Sequence, residues 1–224
     1  MNNEFIFTRP VEVAGSLSGI VTVPTGFDQA KESLPVIVFL HGAGERGDGS
    51  AQSVQKVKVH GIPKIFAANP DYHDLRVITL SPQCPCGMTW NHLAFPLMQW
   101  IKVAVAELNG DESRISITGL SMGGFGSWEM LLTFPAYFSC GAPICGGGLS
   151  WRADALRGKK LRVFHGLDDR TVPFSYSEQM VDAARANGAD VTFTAYDQVG
   201  HNSWTRAYEE TDLIDWLVSN RLGE

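Results

Sequence analysis

The stretch Arg114-Ile115-Ser116-Ile117-Thr118-Gly119-Leu120-Ser121-Met122-Gly123-Gly124 decides the reading of this chain. Its first half is a short run of the residue types that fill a buried strand. Its second half is G-x-S-x-G, and Phe125, Trp128, Leu131 and Leu132 follow at helical spacing. A serine is therefore set on the turn between a strand and a helix. Such a turn is too sharp for side chains at the flanking positions, so glycines occupy them. It lifts Ser121 Oγ above the sheet and aims the first N–H groups of the helix at a reacting carbonyl oxygen. The alternative is a glycine-rich turn with an incidental serine; the strand before it and the helix after it favour a nucleophile. The stripe from Phe125 to Leu132 reads as helix packing.

Working outward, short apolar runs alternate with helical stretches. Leu34–Leu40 is continuously apolar, as expected of a strand buried on both faces. Leu75–Leu80, Phe138–Pro143, Leu161–Phe164 and Val191–Tyr196 are similar runs, and Val11–Val13 with Gly19–Val23 reads as an antiparallel pair. Leu93, Leu97, Ile101, Val105 and Leu108 mark a helix that ends at Asn109-Gly110. Ser175 with Glu178 predicts a capping box, with a stop at Gly188. Leu213, Ile214, Trp216 and Leu217 predict a terminal amphipathic helix. This order implies an α/β fold, a mostly parallel twisted sheet with helices on both faces. Ligands of such folds bind at the carboxyl ends of the strands, so the loops there hold the candidates.

A serine hydroxyl needs a base, and the base needs an orienting carboxylate. The expected chain order is serine, acid, histidine. His165 and His201 are the histidines after Ser121. His201 follows the last strand, in a loop that can swing an imidazole towards the serine. His165 ends a buried run and abuts Gly166, which reads as structural. Asp168, Asp169 and Asp197 are the candidate acids, and the residues alone do not separate Asp168 from Asp169. Leu40 leads into His41-Gly42-Ala43-Gly44-Glu45-Arg46-Gly47, where glycines let the backbone approach a ligand. The N–H groups of Ala43 and Met122 are the expected oxyanion donors. His41 reads as a residue that orients this loop, and Glu45 with Arg46 pairs internally or with substrate. A phosphate cradle is disfavoured because G-x-x-x-x-G-K is absent.

Composition narrows the function classes. The 224 residues, 44% hydrophobic and 19% charged, are those of one globular domain spanning 1–224. With 24 acidic against 18 basic residues, the net charge of −6 gives no footprint for nucleic acid or an anionic membrane. No apolar run nears the roughly 18 residues of a membrane span. No basic region followed by an apolar stretch opens the chain, so a cytoplasmic protein without a signal peptide is expected. Cys84, Cys86, Cys140 and Cys145 are then expected as reduced thiols. The histidines sit at no ligand spacing to a cysteine pair, and the chemistry needs neither metal nor cofactor.

In sequence order, six segments together resemble the α/β-hydrolase superfamily over nearly the whole chain. They are Leu40 to Gly47, Ser81-Pro82-Gln83-Cys84-Pro85 with Trp90, Gly119 to Gly124, Pro143 to Gly148, His165 to Pro173, and Gly200-His201-Asn202-Ser203-Trp204. The chain looks most like small bacterial carboxylesterases and predicted peptidases, related to feruloyl-esterase-type and phospholipase/carboxylesterase proteins. The resemblance puts the acid on Asp169 through the pattern H-G-x-x-D-x-x-V-P. It implies a Ser121–Asp169–His201 triad acting on a small-molecule ester. It also brings Trp90 to the mouth of the site, as a wall of the acyl or alcohol pocket, with a buried anchoring tryptophan as the alternative. Gly44 is the second candidate for substrate contact. Only about a dozen residues, Gly146 to Gly158, separate two predicted strands where many lipases carry a helical lid. No lid domain is therefore expected, and an open cleft favours short or exposed acyl groups. Serine peptidase and feruloyl or acetyl-xylan esterase are the enzyme alternatives, and a non-catalytic binding module is the alternative of another class. A serine at the elbow disfavours cysteine- and aspartate-nucleophile relatives.

Overall fold

The computed structural model describes residues 3–11, 15–69 and 72–223. Strands β1 (Asn3–Val11), β2 (Gly15–Val23), β3 (Leu34–Leu40), β4 (Ile78–Pro82), β5 (Gly110–Leu120), β6 (Cys140–Ile144), β7 (Lys160–Gly166) and β8 (Asp190–Tyr196) form one sheet. Its order is β1-β2-β4-β3-β5-β6-β7-β8. β2 is antiparallel to both β1 and β4, and from β4 to β8 every neighbouring pair is parallel.

The continuous apolar run Leu34–Leu40 is explained by its central place in the sheet. Every residue of β3 is buried. Val36, Val38 and Leu40 face one core, and Ile37 and Phe39 face the other. Successive side chains of a strand point to opposite faces, so both must be apolar when helices cover both sides. Helices α2 (Ala94–Glu107), α3 (Met122–Thr133) and α4 (Ser175–Ala186) cover the first face, with Trp100 and Trp128 fully buried there. Helices α1 (Gly61–Ala68), α5 (Trp204–Glu209) and α6 (Leu213–Ser219) cover the second, through Ile62, Tyr208 and Leu217.

Several boundaries differ from expectation for local physical reasons. β1 begins at Asn3, well ahead of Val11–Val13, and Val13 lies outside the described residues. Its apolar residues do not alternate with burial: Phe5 and Ile6 are exposed while Phe7 is buried. The capping box at Ser175 does not form. The chain is already helical at Phe174 (φ −49°, ψ −36°), which is the N-cap, so Ser175 stands inside the first turn. A capping box forms instead at Thr89 with His92, ahead of α2. Gly188 does end α4, at φ 88°, a conformation that favours glycine.

The strands that surround the candidate residues end at one edge. Leu40 pairs with Gly119, Leu120 with Ile144, and Gly166 with Tyr196. The loops carrying His41 to Gly47, Ser121, Asp169 and His201 all leave that edge. Between β6 and β7 stands one short 3-10 helix, Ser150–Leu156, and no helical lid covers the edge among the described residues.

Candidate active site

Ser121 is the residue between β5 and α3, held at φ 54° and ψ −117°. Its N–H donates to the Ile144 carbonyl (3.0 Å), and its own carbonyl accepts from the Phe125 N–H (3.0 Å). The turn is thus tied to β6 on one side and to α3 on the other. Ser121 Oγ lies 2.9 Å from His201 Nε2, and His201 Nδ1 lies 2.7 Å from Asp169 Oδ2. An ionised carboxylate only accepts, so the imidazole proton sits on Nδ1 and Nε2 is free to accept from the serine. One hydrogen-bonded chain therefore runs Ser121–His201–Asp169.

Asp169 Oδ1 accepts from the N–H groups of Thr171 (2.8 Å) and Val172 (2.9 Å). Burial would raise this carboxyl, but the His201 hydrogen bond and those two amides outweigh it and hold the carboxyl below its ordinary value. It stays ionised at neutral pH. Asp168 and Asp197 are exposed, and of the three candidate acids Asp169 is the one bonded to His201. His201 keeps 22% of its side chain exposed. Its ring meets Trp204 edge-on at 5.3 Å, and Trp204 meets His60 in the same way at 5.4 Å. A cleft of about 230 Å³ opens over the serine, bordered by Ala43, Gly44, His60, Thr171, His201 and Trp204.

No family model matches the chain, and no curated protein does. Among solved structures it is similar to a thermostable esterase, with 32% identity and a TM-score of 0.83 over 97% of this chain and 63% of that one. The chain belongs to the α/β-hydrolase superfamily. Two further neighbours share its fold. One is a feruloyl esterase module from Clostridium thermocellum in complex with sinapinate, with TM-score 0.75 and 13% identity over 95% of this chain and 87% of that one. The other is an acylaminoacyl peptidase from Pyrococcus horikoshii, with TM-score 0.69 and 17% identity over 100% of this chain and 42% of that one. This α/β-hydrolase chain thus spans less than two thirds of the esterase it matches and under half of the peptidase.

The loop after β3 of this α/β-hydrolase is held from below. His41 is buried, and burial pushes its imidazole down to about 4, so it is neutral at working pH. Its Nε2 accepts from the Cys84 N–H (2.9 Å) and its Nδ1–H donates to the Gly42 carbonyl (2.6 Å). Gln83 donates to the Glu45 and Ser53 carbonyls at 2.9 and 2.8 Å, stapling the far side of the loop. Arg46 donates to the carbonyls of Ala43 (2.9 Å) and Met88 (3.2 Å), so it braces the loop and is not the partner of Glu45.

Trp90 corrects one expectation. It has no exposed surface, and its Nε1–H donates to the His41 carbonyl at 3.0 Å. It supports the loop from beneath and cannot wall a substrate pocket. The cleft wall is made instead by His60 and Trp204. Trp204 was visible only as the residue three places after His201. His60, the N-cap of α1, carried no signal, because its approach is set by how α1 docks. Gly44 does border the cleft, and a side chain there would meet open space.

Cys145, Asp169 and His201 bring potential metal ligands within 4.8 Å of one another. The donor set fits a metal poorly. Burial pushes the Cys145 thiol up to about 12, while metals bind the thiolate. The carboxylate and imidazole there are already engaged with each other. All four cysteines are free thiols, Cys84, Cys140 and Cys145 buried and Cys86 exposed. No helix among the described residues is long and apolar enough to cross a membrane.

Proposed function

We propose that this chain is a serine hydrolase that cleaves carboxylic esters through an acyl-enzyme. The observation that carries the reading is the chain Ser121 Oγ to His201 Nε2 at 2.9 Å and His201 Nδ1 to Asp169 Oδ2 at 2.7 Å. In this reading Ser121 Oγ attacks the ester carbonyl as its proton passes to His201 Nε2. Asp169, ionised, stabilises the imidazolium that forms. The N–H groups of Ala43 and Met122 receive the oxyanion; fixed backbone donors do this without reorganising as charge develops. His201 then hands its proton to the leaving alkoxide, and the alcohol departs. Water enters, loses a proton to His201 and attacks the acyl carbon; the acid leaves as Ser121 Oγ takes that proton back from His201. Gly44 lines the acyl or alcohol side of the cleft without a side chain. The lidless edge and the small cleft suit a soluble short-chain ester or an exposed acyl group.

A fluorophosphonate probe tests the reading, because it needs an activated serine. Stoichiometric labelling at Ser121, lost in Ser121→Ala, is expected by mass spectrometry. Absence of labelling would favour a binding module. A panel of p-nitrophenyl acyl esters with methyl ferulate and a blocked peptide anilide then sorts the substrates. The expected maximum is at acetyl to butyryl; a preference for methyl ferulate or the anilide would move the assignment to a feruloyl esterase or a peptidase.

A further inference from the structure

We propose that Glu45 is a specificity-determining residue of the cleft, a carboxylate that takes a positively charged ammonium group of the ester substrate. The inference rests on the hydrolase reading above and adds a substrate class to it. Glu45 lies two places after Ala43, at the end of the short 3-10 turn Ala43–Glu45 that follows β3. It borders the same cleft as Ser121 and His201. Only 7% of its surface is exposed.

The protein itself supplies this carboxylate with no fixed counter-charge. Its Oε2 is buried without a hydrogen-bond donor. That oxygen lies against Gly42, where a Cβ would sit 3.2 Å away. His41 Nδ1 is 3.8 Å off, but that ring is neutral and its one proton goes to the Gly42 carbonyl. Oε1 lies towards His60, whose Nε2 is 3.9 Å away, beyond hydrogen-bond reach. An imidazole carries charge only when protonated, which an ordinary one mostly is not at pH 7. Arg46, next in the chain, spends its guanidinium on the Ala43 and Met88 carbonyls. Among the described residues no lysine or arginine forms an ion pair with Glu45.

A buried carboxylate with neither cation nor donors is costly, so its place calls for a partner. The loop does not need the side chain for its own hold. It is the main-chain carbonyl of Glu45 that accepts from Gln83, at 2.9 Å. The open side of the carboxylate is the cleft, since Gly42 and His60, beside its two oxygens, both border it. His60 and Trp204, edge-on at 5.4 Å, add an aromatic wall there, and ring faces also favour a cation. A hydroxyl would satisfy an oxygen and leave the charge unbalanced. An ammonium does both, and a compact one suits a cleft of about 230 Å³. The ammonium is carried by the acyl or by the alcohol part of the ester, and the experiment separates the two.

Two isosteric pairs of esters, followed by pH-stat near pH 7, make the test. Alanine methyl ester against methyl isobutyrate reads the acyl part. Acetylcholine against 3,3-dimethylbutyl acetate reads the alcohol part. Each pair differs by one charge at nearly constant shape. In at least one pair the cationic ester is expected to have the higher kcat/KM, by about 10- to 100-fold. Glu45→Gln, which keeps the shape and removes the charge, is expected to bring that ratio towards one. No cationic advantage in either pair, or an advantage that folded Glu45→Gln keeps, would overturn the proposal. If the variant does not fold, NMR on the wild type decides. n-Butylammonium must displace the His60 ring and Trp204 indole resonances, and 1-butanol at the same concentration must not. Equal displacement by both, or by neither, overturns it. That titration needs no turnover, so it still tests the subsite if the hydrolase reading fails. Failure of that reading looks different: none of the four esters is turned over and Ser121 takes no fluorophosphonate label.

Discussion

Ser121→Ala is expected to lower kcat/KM toward p-nitrophenyl acetate by about 10⁴- to 10⁶-fold, with the melting temperature unchanged or slightly raised. The first half of this result follows from the order of events. In the proposed mechanism His201 carries the proton while Asp169 orients and stabilises it, and without a nucleophile the pair accelerates nothing beyond what the cleft and the proposed N–H donors supply. The second half follows from the backbone. At φ 54° and ψ −117°, Ser121 occupies a region where a side chain is strained, at a cost of about 1 to 3 kcal/mol. Alanine keeps the Cβ and so keeps the strain. Ser121→Gly removes it, losing in exchange about 0.5 to 1 kcal/mol to the freer unfolded chain. The glycine variant is therefore expected to be equally inactive yet at least as stable as Ser121→Ala in thermal unfolding. A Ser121→Gly protein that melts well below the alanine variant would show that the elbow stores no strain. Turnover near wild type in Ser121→Ala would remove the serine from the chemistry altogether.

What was legible in advance depended on how local its cause is. The elbow was legible because glycines, a strand before and a helix after are all constraints within a dozen residues. So was β3, because burial on both faces leaves a continuous apolar run. Asp169 against Asp168 was not legible from the residues, because the choice turns on which carboxylate the loop after β7 rotates inward. The backbone amides of Thr171 and Val172 and the His201 imidazole hold Asp169 inward, leaving Asp168 exposed. Trp90 failed in the opposite way. A tryptophan beside a cleft and one beneath it look alike in sequence, and the indole N–H bond to the His41 carbonyl separates them only in space. Ser175 shows a strong local pattern overridden by context, since the helix is already under way at Phe174. His165 is the instructive middle case. Its structural reading agrees with its burial, but its nearest charged neighbour is the carboxylate that serves His201.

Gly123→Ala is expected to destabilise the fold by about 3 kcal/mol and to cut kcat/KM of the surviving folded protein by about 100-fold. A Cβ at Gly123 would lie 1.8 Å from the Leu40 carbonyl oxygen, 2.5 Å from its carbon and 2.8 Å from the His41 carbonyl oxygen. These are backbone atoms, and no rotamer change relieves the clash. Either α3 must lift away from β3, or the chain must shift where β3 passes into the loop that carries Ala43. Both movements would separate the Met122 N–H from the Ala43 N–H, the two donors proposed for the oxyanion, and an oxyanion hole works only while its donors stay aimed at one point. The loss of stability and the loss of rate thus share one cause, and they should appear together. Gly44→Ala is the control, because its Cβ would meet open space at the rim of the same cleft. It is expected to change stability by no more than about 0.5 kcal/mol. Thermal unfolding and initial rates on both variants separate the two positions. A Gly123→Ala protein with native melting temperature and full activity would mean that β3 and α3 are not held in the contact on which the proposed donor pair depends.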